Sequence, residues 1–262
     1  KNIWMEGIGL IGLGANAKAA SIAGDLVVQN ARVRAIGEDA GGFRPISEKD
    51  LFDCEYWSLE QAKLGKGAPP KFQGKVVMIT GGSGTIGFAI AKAFSKLGAQ
   101  TILVDKDEIA LKESVTKLGV GHKYFPIDVT HSDAANQALL AAINNFGGLD
   151  ILISNAGAAH AGPMLDISNE ELRNAFELNF FSHYSFSTEA AKILKDQNRG
   201  GQILFNISKQ AVNPGKNFGA YGLPKATTFF LMRQLALELG SDGIRVNLSL
   251  IHISEPTRPL YI

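Results

Sequence analysis

Cysteine is almost missing from this chain of 262 residues: Cys54 stands alone. An internal disulfide is therefore excluded, and a reducing compartment is implied. Excess charge of either sign is missing too. Lysine and arginine total 26 against 25 acidic residues, a net charge of +1 with no basic block. Nucleic acid and anionic membrane surfaces are poor partners for such a chain. No apolar run approaches membrane-spanning length. No basic, then apolar, then small-residue signal opens the chain, so the expected location is cytoplasmic. Lys1 stands where an initiator methionine would, which reads as a start within a longer protein. With 45% hydrophobic and 19% charged residues, what remains has the make-up of an ordinary globular protein.

Residues 1–64 hold a glycine-rich apolar start, a helical pattern and then "ISEKDLFDCEYWSLEQAKLG". Residues 65–75, "GKGAPPKFQGK", concentrate Gly, Pro and Lys and read as a linker. From Val76 strands and helices alternate. "VVMIT", "TILVD", "KYFPIDV", "DILIS", "GQILFNIS" and "IRVNLSL" are the strands. The helices between them include one continuous helix from Glu170 to Asp196. The fold class is therefore α/β, a Rossmann-type doubly wound parallel sheet with helices on both faces.

Two glycine fingerprints compete for a phosphate site. "GIGLIG" (Gly7, Gly9, Gly12) matches by letter, but no strand is expected before it, and the alternative is a strand whose glycines admit another backbone. "TGGSGTIG" closes the strand "VVMIT" and opens a helix. There Gly81, Ser83, Gly84, Thr85, Ile86 and Gly87 can lay bare N–H groups and a positive helix end against a pyrophosphate. Asp105 ends the next strand, where a carboxylate accepts from an adenosine ribose and repels a 2′-phosphate. NAD is the expected cofactor, with Lys106 beside Asp105 as the opposing signal.

"AYGLPKA" sets Tyr221 and Lys225 four apart, on one helix face. Alone, the pair reads equally as a surface tyrosine and lysine. Its position, after the fifth strand and beside Ser208, Asn155 and Gly157, aims it at the carboxyl edge of the sheet. Pro224 fits if the helix begins at Tyr221, where first-turn N–H groups have no intrahelical partner. An ammonium that stabilises a phenolate would make Tyr221 a usable acid or base. Ser208 can hold the substrate oxygen, and Asn179 can orient a water toward the lysine. His160, Lys209 and Gln210 border the same region as candidate substrate contacts, with Asn213 and Asn217; a solvated loop is the alternative.

These residues resemble the short-chain dehydrogenase/reductase family over residues 76–247, through "TGGSGTIG", Asp105, Asp128 in "IDV", "NAG", Asn179, Ser208 and "YGLPK". The resemblance implies a catalytic set of Asn179, Ser208, Tyr221 and Lys225, with Lys225 also on the nicotinamide ribose. It also implies Asp128 and Val129 beside the adenine, and Asn155, Ala156 and Gly157 along the cofactor. Thr85 stands where that family often has glycine. Upstream, "FRPISEKDLFDCEYWSLEQAKLG" is similar to the junction in bifunctional rhamnulose-1-phosphate aldolase/short-chain dehydrogenases, as is "VNPGKNFGAYGLPKA". That similarity implies that residues 1–64 are an α+β remnant of a class II aldolase domain plus connector. It also implies lactaldehyde as the small-molecule substrate and a homo-oligomeric parent. Residues 1–64 contain no histidine, so no metal site is expected here. Tyr56 and Trp57 read as packing anchors.

Residues 248–262 depart from the family. Leu248–Arg258 reads as the translation of a transposase-type sequencing adaptor, which makes this stretch a non-native tail, with Leu248–Ile251 able to finish the sixth strand. Three functions stand open: an NAD-dependent dehydrogenase for a small hydroxy-carbonyl, a sugar-alcohol or sugar-phosphate dehydrogenase, and, for this chain as written, a dinucleotide-binding fragment without turnover.

Overall fold

The computed structural model describes residues 1–55 and 68–251. The expectations for Tyr56, Trp57, residues 65–67 and everything after Ile251 lie outside the described residues. The chain divides into two compact units, Lys1–Gln73 and Gly74–Ile262.

In the first unit, β1 (Asn2–Met5) and β2 (Gly9–Gly12) form an antiparallel hairpin. A strand does precede "GIGLIG", contrary to expectation, but the glycines serve a hairpin and not a strand-to-helix phosphate turn. Helix α1 (Ala17–Asp39) follows, capped by the Asn16 side chain, which accepts from the Ala19 N–H. A Cβ at Gly12 would lie 2.4 Å from the Gly24 nitrogen of that helix, so strand and helix meet backbone to backbone. Helix α2 (Glu48–Glu55) is the last helix or strand described in this unit.

The second unit begins at a strand buried at every residue, β3 (Val76–Thr80). Then come α3 (Thr85–Lys96), β4 (Gln100–Asp105), α4 (Glu108–Leu118), β5 (Lys123–Pro126), α5 (Ala134–Phe146) and β6 (Ile151–Ser154). Beyond them run α6 (Asn169–Phe176), α7 (Ser182–Gln197), β7 (Gly201–Ser208), α8 (Gly219–Leu239) and β8 (Ile244–Ile251). The strands build one six-stranded sheet in the order β5-β4-β3-β6-β7-β8, every described neighbour pair parallel. Continuous apolar strands such as "VVMIT" fit a sheet covered on both faces. Its packed residues include Met78, Ile102, Leu152, Phe186 and Phe205.

Two expectations about helices need correction. The helix from Glu170 to Asp196 is not continuous: a π turn at Glu177–Phe181 separates α6 from α7. There Ser182 N–H bonds the Glu177 carbonyl, one residue further back than an α-helix would allow. Helix α8 begins at Gly219, two residues before Tyr221, and its first internal bond runs from Gly222 N–H to the Phe218 carbonyl at 2.7 Å. Pro224 therefore sits past the free first-turn positions, and it has no N–H to offer the Ala220 carbonyl four residues back.

Candidate active site

Strand β3 sits at the reversal point of the sheet, sending β4 and β5 to one side and β6, β7 and β8 to the other. Where such an order reverses, the loops after neighbouring strands part and leave a crevice. A cavity of about 750 Å³ opens at this place. Its wall takes in Gly81, Gly84, Thr85, Ile86 and Gly87 after β3, then Asp105 and Lys106 after β4, and Asp128 and Val129 after β5. Asn155, Ala156 and Gly157 after β6 continue it to Tyr221 and Lys225 of α8.

The β3–α3 loop is shaped by backbone contacts. A Cβ on Gly87 would stand 2.1 Å from the Gly81 carbonyl oxygen, so only glycine lets helix α3 start this close to the strand. The loop is tied to β4: the Ser83 N–H donates to Asp105 Oδ2 at 3.2 Å, and Oδ1 accepts from Lys106 N–H at 2.8 Å. Ser83 thus braces Asp105 and is not part of the cavity wall. Asp128 accepts from the Thr130 N–H and hydroxyl, which hold its carboxyl below the usual carboxylate range.

Toward the middle, Thr80 and Asn206 fix the β6 loop. The Thr80 hydroxyl accepts from the N–H groups of Asn155 and Ala156, and Asn155 Oδ1 accepts from Asn206 Nδ2 at 2.7 Å. Gly157 is a second place where a side chain is excluded. A Cβ there would lie 2.8 Å from Asn179 Oδ1 and 3.0 Å from Lys225 Nζ.

The polar end gathers side chains from three elements, β7, the π turn and α8. Tyr221 is 6% exposed and Ser208, at the end of β7, 1%; a hydrogen bond joins the two side chains. Burial raises the Tyr221 pKa, and the Ser208 bond opposes that in part. Lys225 is 2% exposed, its Nζ 5.6 Å from the Tyr221 ring centre, and burial brings its pKa down to about 7. Burial disfavours both charges, the Lys225 ammonium and a Tyr221 phenolate alike. Asn179 lies in the π turn. Its Nδ2 donates to the carbonyls of Ala158 and Ala175, and its backbone carbonyl accepts from the Thr228 hydroxyl. Its Oδ1 is buried without a hydrogen-bond partner among the described residues.

Other candidate residues lie elsewhere. His160 is exposed, 3.5 Å from Glu171, whose carboxylate closes a capping box with Ser168 at the start of α6. Gln210 turns inward to accept from the Gly215 N–H and supports its own loop, while Lys209 opens a short 3-10 turn. Neither these three nor Asn213 and Asn217 line the cavity. One residue was not singled out from sequence: His183, wholly buried, with Nδ1 2.6 Å from Ser154 Oγ and Nε2 3.0 Å from Lys225 Nζ. Its spacing four residues after Asn179, one turn along the same face, is the signal that was there to find.

No described helix is long and apolar enough to cross a membrane. Among the described residues no cluster of His, Cys, Asp or Glu is arranged to hold a metal ion.

Residues 75–252 match the short chain dehydrogenase family, and residues 1–64 match the second domain of class II aldolases. The chain is 33% identical over 252 residues to the uncharacterized oxidoreductase YuxG of Bacillus subtilis (strain 168), covering 94% of this chain but 36% of that protein. It is 33% identical over 180 residues to the 7alpha-hydroxysteroid dehydrogenase of Escherichia coli (strain K12), covering 68% of this chain and 70% of that enzyme. Among solved structures, 3-ketoacyl-(acyl-carrier-protein) reductase from Brucella melitensis, complexed with NADH, is similar with a TM-score of 0.65 and 28% identity. That likeness covers 67% of this chain and 74% of that one.

Proposed function

This chain belongs to the short-chain dehydrogenase family, and from that premise we propose that its cavity binds NAD and serves hydride transfer to or from a small hydroxy-carbonyl substrate. The residues present fit such a cofactor. A bare-backbone loop at a helix start suits a pyrophosphate, and the Gly81–Gly87 approach leaves that space open. The NADH-bound reductase neighbour supports a nicotinamide dinucleotide. Asp105 on the cavity wall supports NAD over NADP, by repulsion of a 2′-phosphate. When bound, the nicotinamide supplies the hydride acceptor or donor.

The chain's own part is proton handling at the substrate oxygen. Tyr221 takes the hydroxyl proton in oxidation and returns one in reduction; the Ser208 hydroxyl, bonded to Tyr221, holds that oxygen in line. Lys225 must carry its proton to draw Tyr221 toward the phenolate. Asn179 Oδ1, buried and free to accept, is the acceptor that a water between Asn179 and Lys225 requires. The single observation that carries this reading is that Tyr221 and Lys225 share one cavity with the Gly81–Gly87 loop.

Lactaldehyde as substrate rests on the resemblance to bifunctional rhamnulose-1-phosphate aldolase/short-chain dehydrogenases, and the aldolase match of residues 1–64 supports it. Steady-state rates with NAD and lactaldehyde, set against polyols and their phosphates, test both levels. Preferred turnover of lactaldehyde is the expected result. Preferred turnover of a polyol or its phosphate overturns the substrate, and turnover of none overturns the dehydrogenase assignment.

A further inference from the structure

We propose that His183 is a positioning residue for Lys225, the middle of a buried chain Ser154–His183–Lys225 that holds the lysine at the cavity wall. The function given to Lys225 rests on the dehydrogenase reading above; the chain itself rests on geometry. His183 lies on α7 and is 0% exposed. Ser154 Oγ, at the end of β6, is 2.6 Å from Nδ1, and Lys225 Nζ, on α8, is 3.0 Å from Nε2. The imidazole also packs against the Phe205 ring of β7, centres 6.0 Å apart, so it has little room to turn.

Donor and acceptor roles follow from the inventory of each group. An ammonium only donates, so beside a protonated Lys225 the Nε2 of His183 must accept. Nδ1 then carries the hydrogen and gives it to the Ser154 hydroxyl. That requires a neutral ring, and burial together with the nearby lysine does push the His183 pKa well down. One ammonium proton points back into the core and two remain for the cavity. A lysine stem otherwise has rotamer entropy to lose on being fixed. An acceptor behind it also favours ammonium over amine, against the burial that brings Lys225 to about 7.

A histidine that merely fills the core would affect stability and leave the lysine's titration alone. Tyr221 on its own helix and His183 on α7 lie beside Lys225, and the other charged groups on the wall of the same cavity are Glu177, Asp105, Asp128 and Lys106. Of these, His183 alone is recorded within hydrogen-bond distance of Nζ among the described residues.

The test follows the Lys225 Cε signal of this chain against pH by NMR after 13C-lysine labelling, with Lys225→Met to assign it. His183→Leu should lower the Lys225 midpoint by about one pH unit, a tenfold change in acidity, through loss of the acceptor. His183→Gln, which keeps an acceptor near the Nε2 position, should restore the midpoint to within about 0.3 unit. An unmoved midpoint in a folded His183→Leu chain would overturn the proposal. Should the leucine variant not fold, His183→Asn, too short to meet Nζ, takes its place: a midpoint below that of His183→Gln supports the proposal, and equal midpoints refute it. Because the readout needs no turnover, inactivity of the native chain would count against the dehydrogenase reading and not against this one.

Discussion

At the Gly87 end of the cavity the wall includes a main-chain loop shaped by what is absent from it; at the Tyr221 end it is built from residues of the loop after β6, the π turn, β7 and α8. At Gly87 the first end tolerates no Cβ, with the Gly81 carbonyl oxygen 2.1 Å from where one would stand. The second is a cluster of buried polar groups, with Tyr221 bonded to Ser208 and Lys225 to His183. A binding surface made of backbone suits a ligand recognised by shape and charge. A cluster of buried titratable groups suits a proton transfer. The contrast separates affinity from rate, and each end should fail in its own way.

Tyr221→Phe should give the largest effect: a loss of at least about a hundredfold in kcat, with NAD affinity changed little, since the hydroxyl acts on the proton and not on the dinucleotide. Equal losses in rate and affinity would erase the distinction between the two ends. Gly87→Ala is its mirror. The added methyl must displace main chain, so NAD affinity should fall by about thirtyfold and stability by about 2 kcal/mol, measured by fluorescence titration and thermal melting. Undiminished affinity would show that the loop does not hold the cofactor.

The polar end also predicts a pH effect with a definite sign. Lys225 titrates near 7 in the empty folded chain against an ordinary 10.5. Between those values the unfolded chain binds a proton that the folded one does not. Stability of the native chain relative to Lys225→Met should therefore rise with pH across that window, by at most about 1.4 kcal/mol per unit, and level off below 7. Denaturant midpoints at several pH values check this; a flat difference would mean that Lys225 is not buried as described. The smallest effect belongs to Asp105→Ser, which should narrow the NAD over NADP preference by about fivefold, read from competing-cofactor kinetics. A native preference for NADP would contradict the role given to Asp105.

How much of this was visible beforehand differs between the two ends. The parallel α/β sheet could be read from "VVMIT" and its successors, and the loop from "TGGSGTIG", because a strand, a bare turn and a helix start are adjacent in the chain. Tyr221 and Lys225 are likewise neighbours on one helix face. The π turn was not legible, since the helical pattern of residues 170–196 does not reveal a single displaced hydrogen bond. Nor was the start of α8: the proline rule put it at Tyr221, whereas packing places Pro224 inside the helix. His183 escaped because its partners, Ser154 and Lys225, lie 29 and 42 residues away and meet it only through the sheet. His160 and Gln210 sat in the right loops, but loop conformation turned them toward Glu171 and the Gly215 N–H.

The central claim, that one cavity couples a dinucleotide loop to a tyrosine proton switch, is tested most directly by one paired measurement. NAD binding and the appearance of reduced nicotinamide are followed side by side, with lactaldehyde and with polyols, for the native protein and for Tyr221→Phe. The expected result is equal NAD affinity in both, with reduced nicotinamide formed by the native protein and about a hundredfold more slowly by the variant. Undetectable NAD binding by the native protein, or comparable rates in the two, would contradict it.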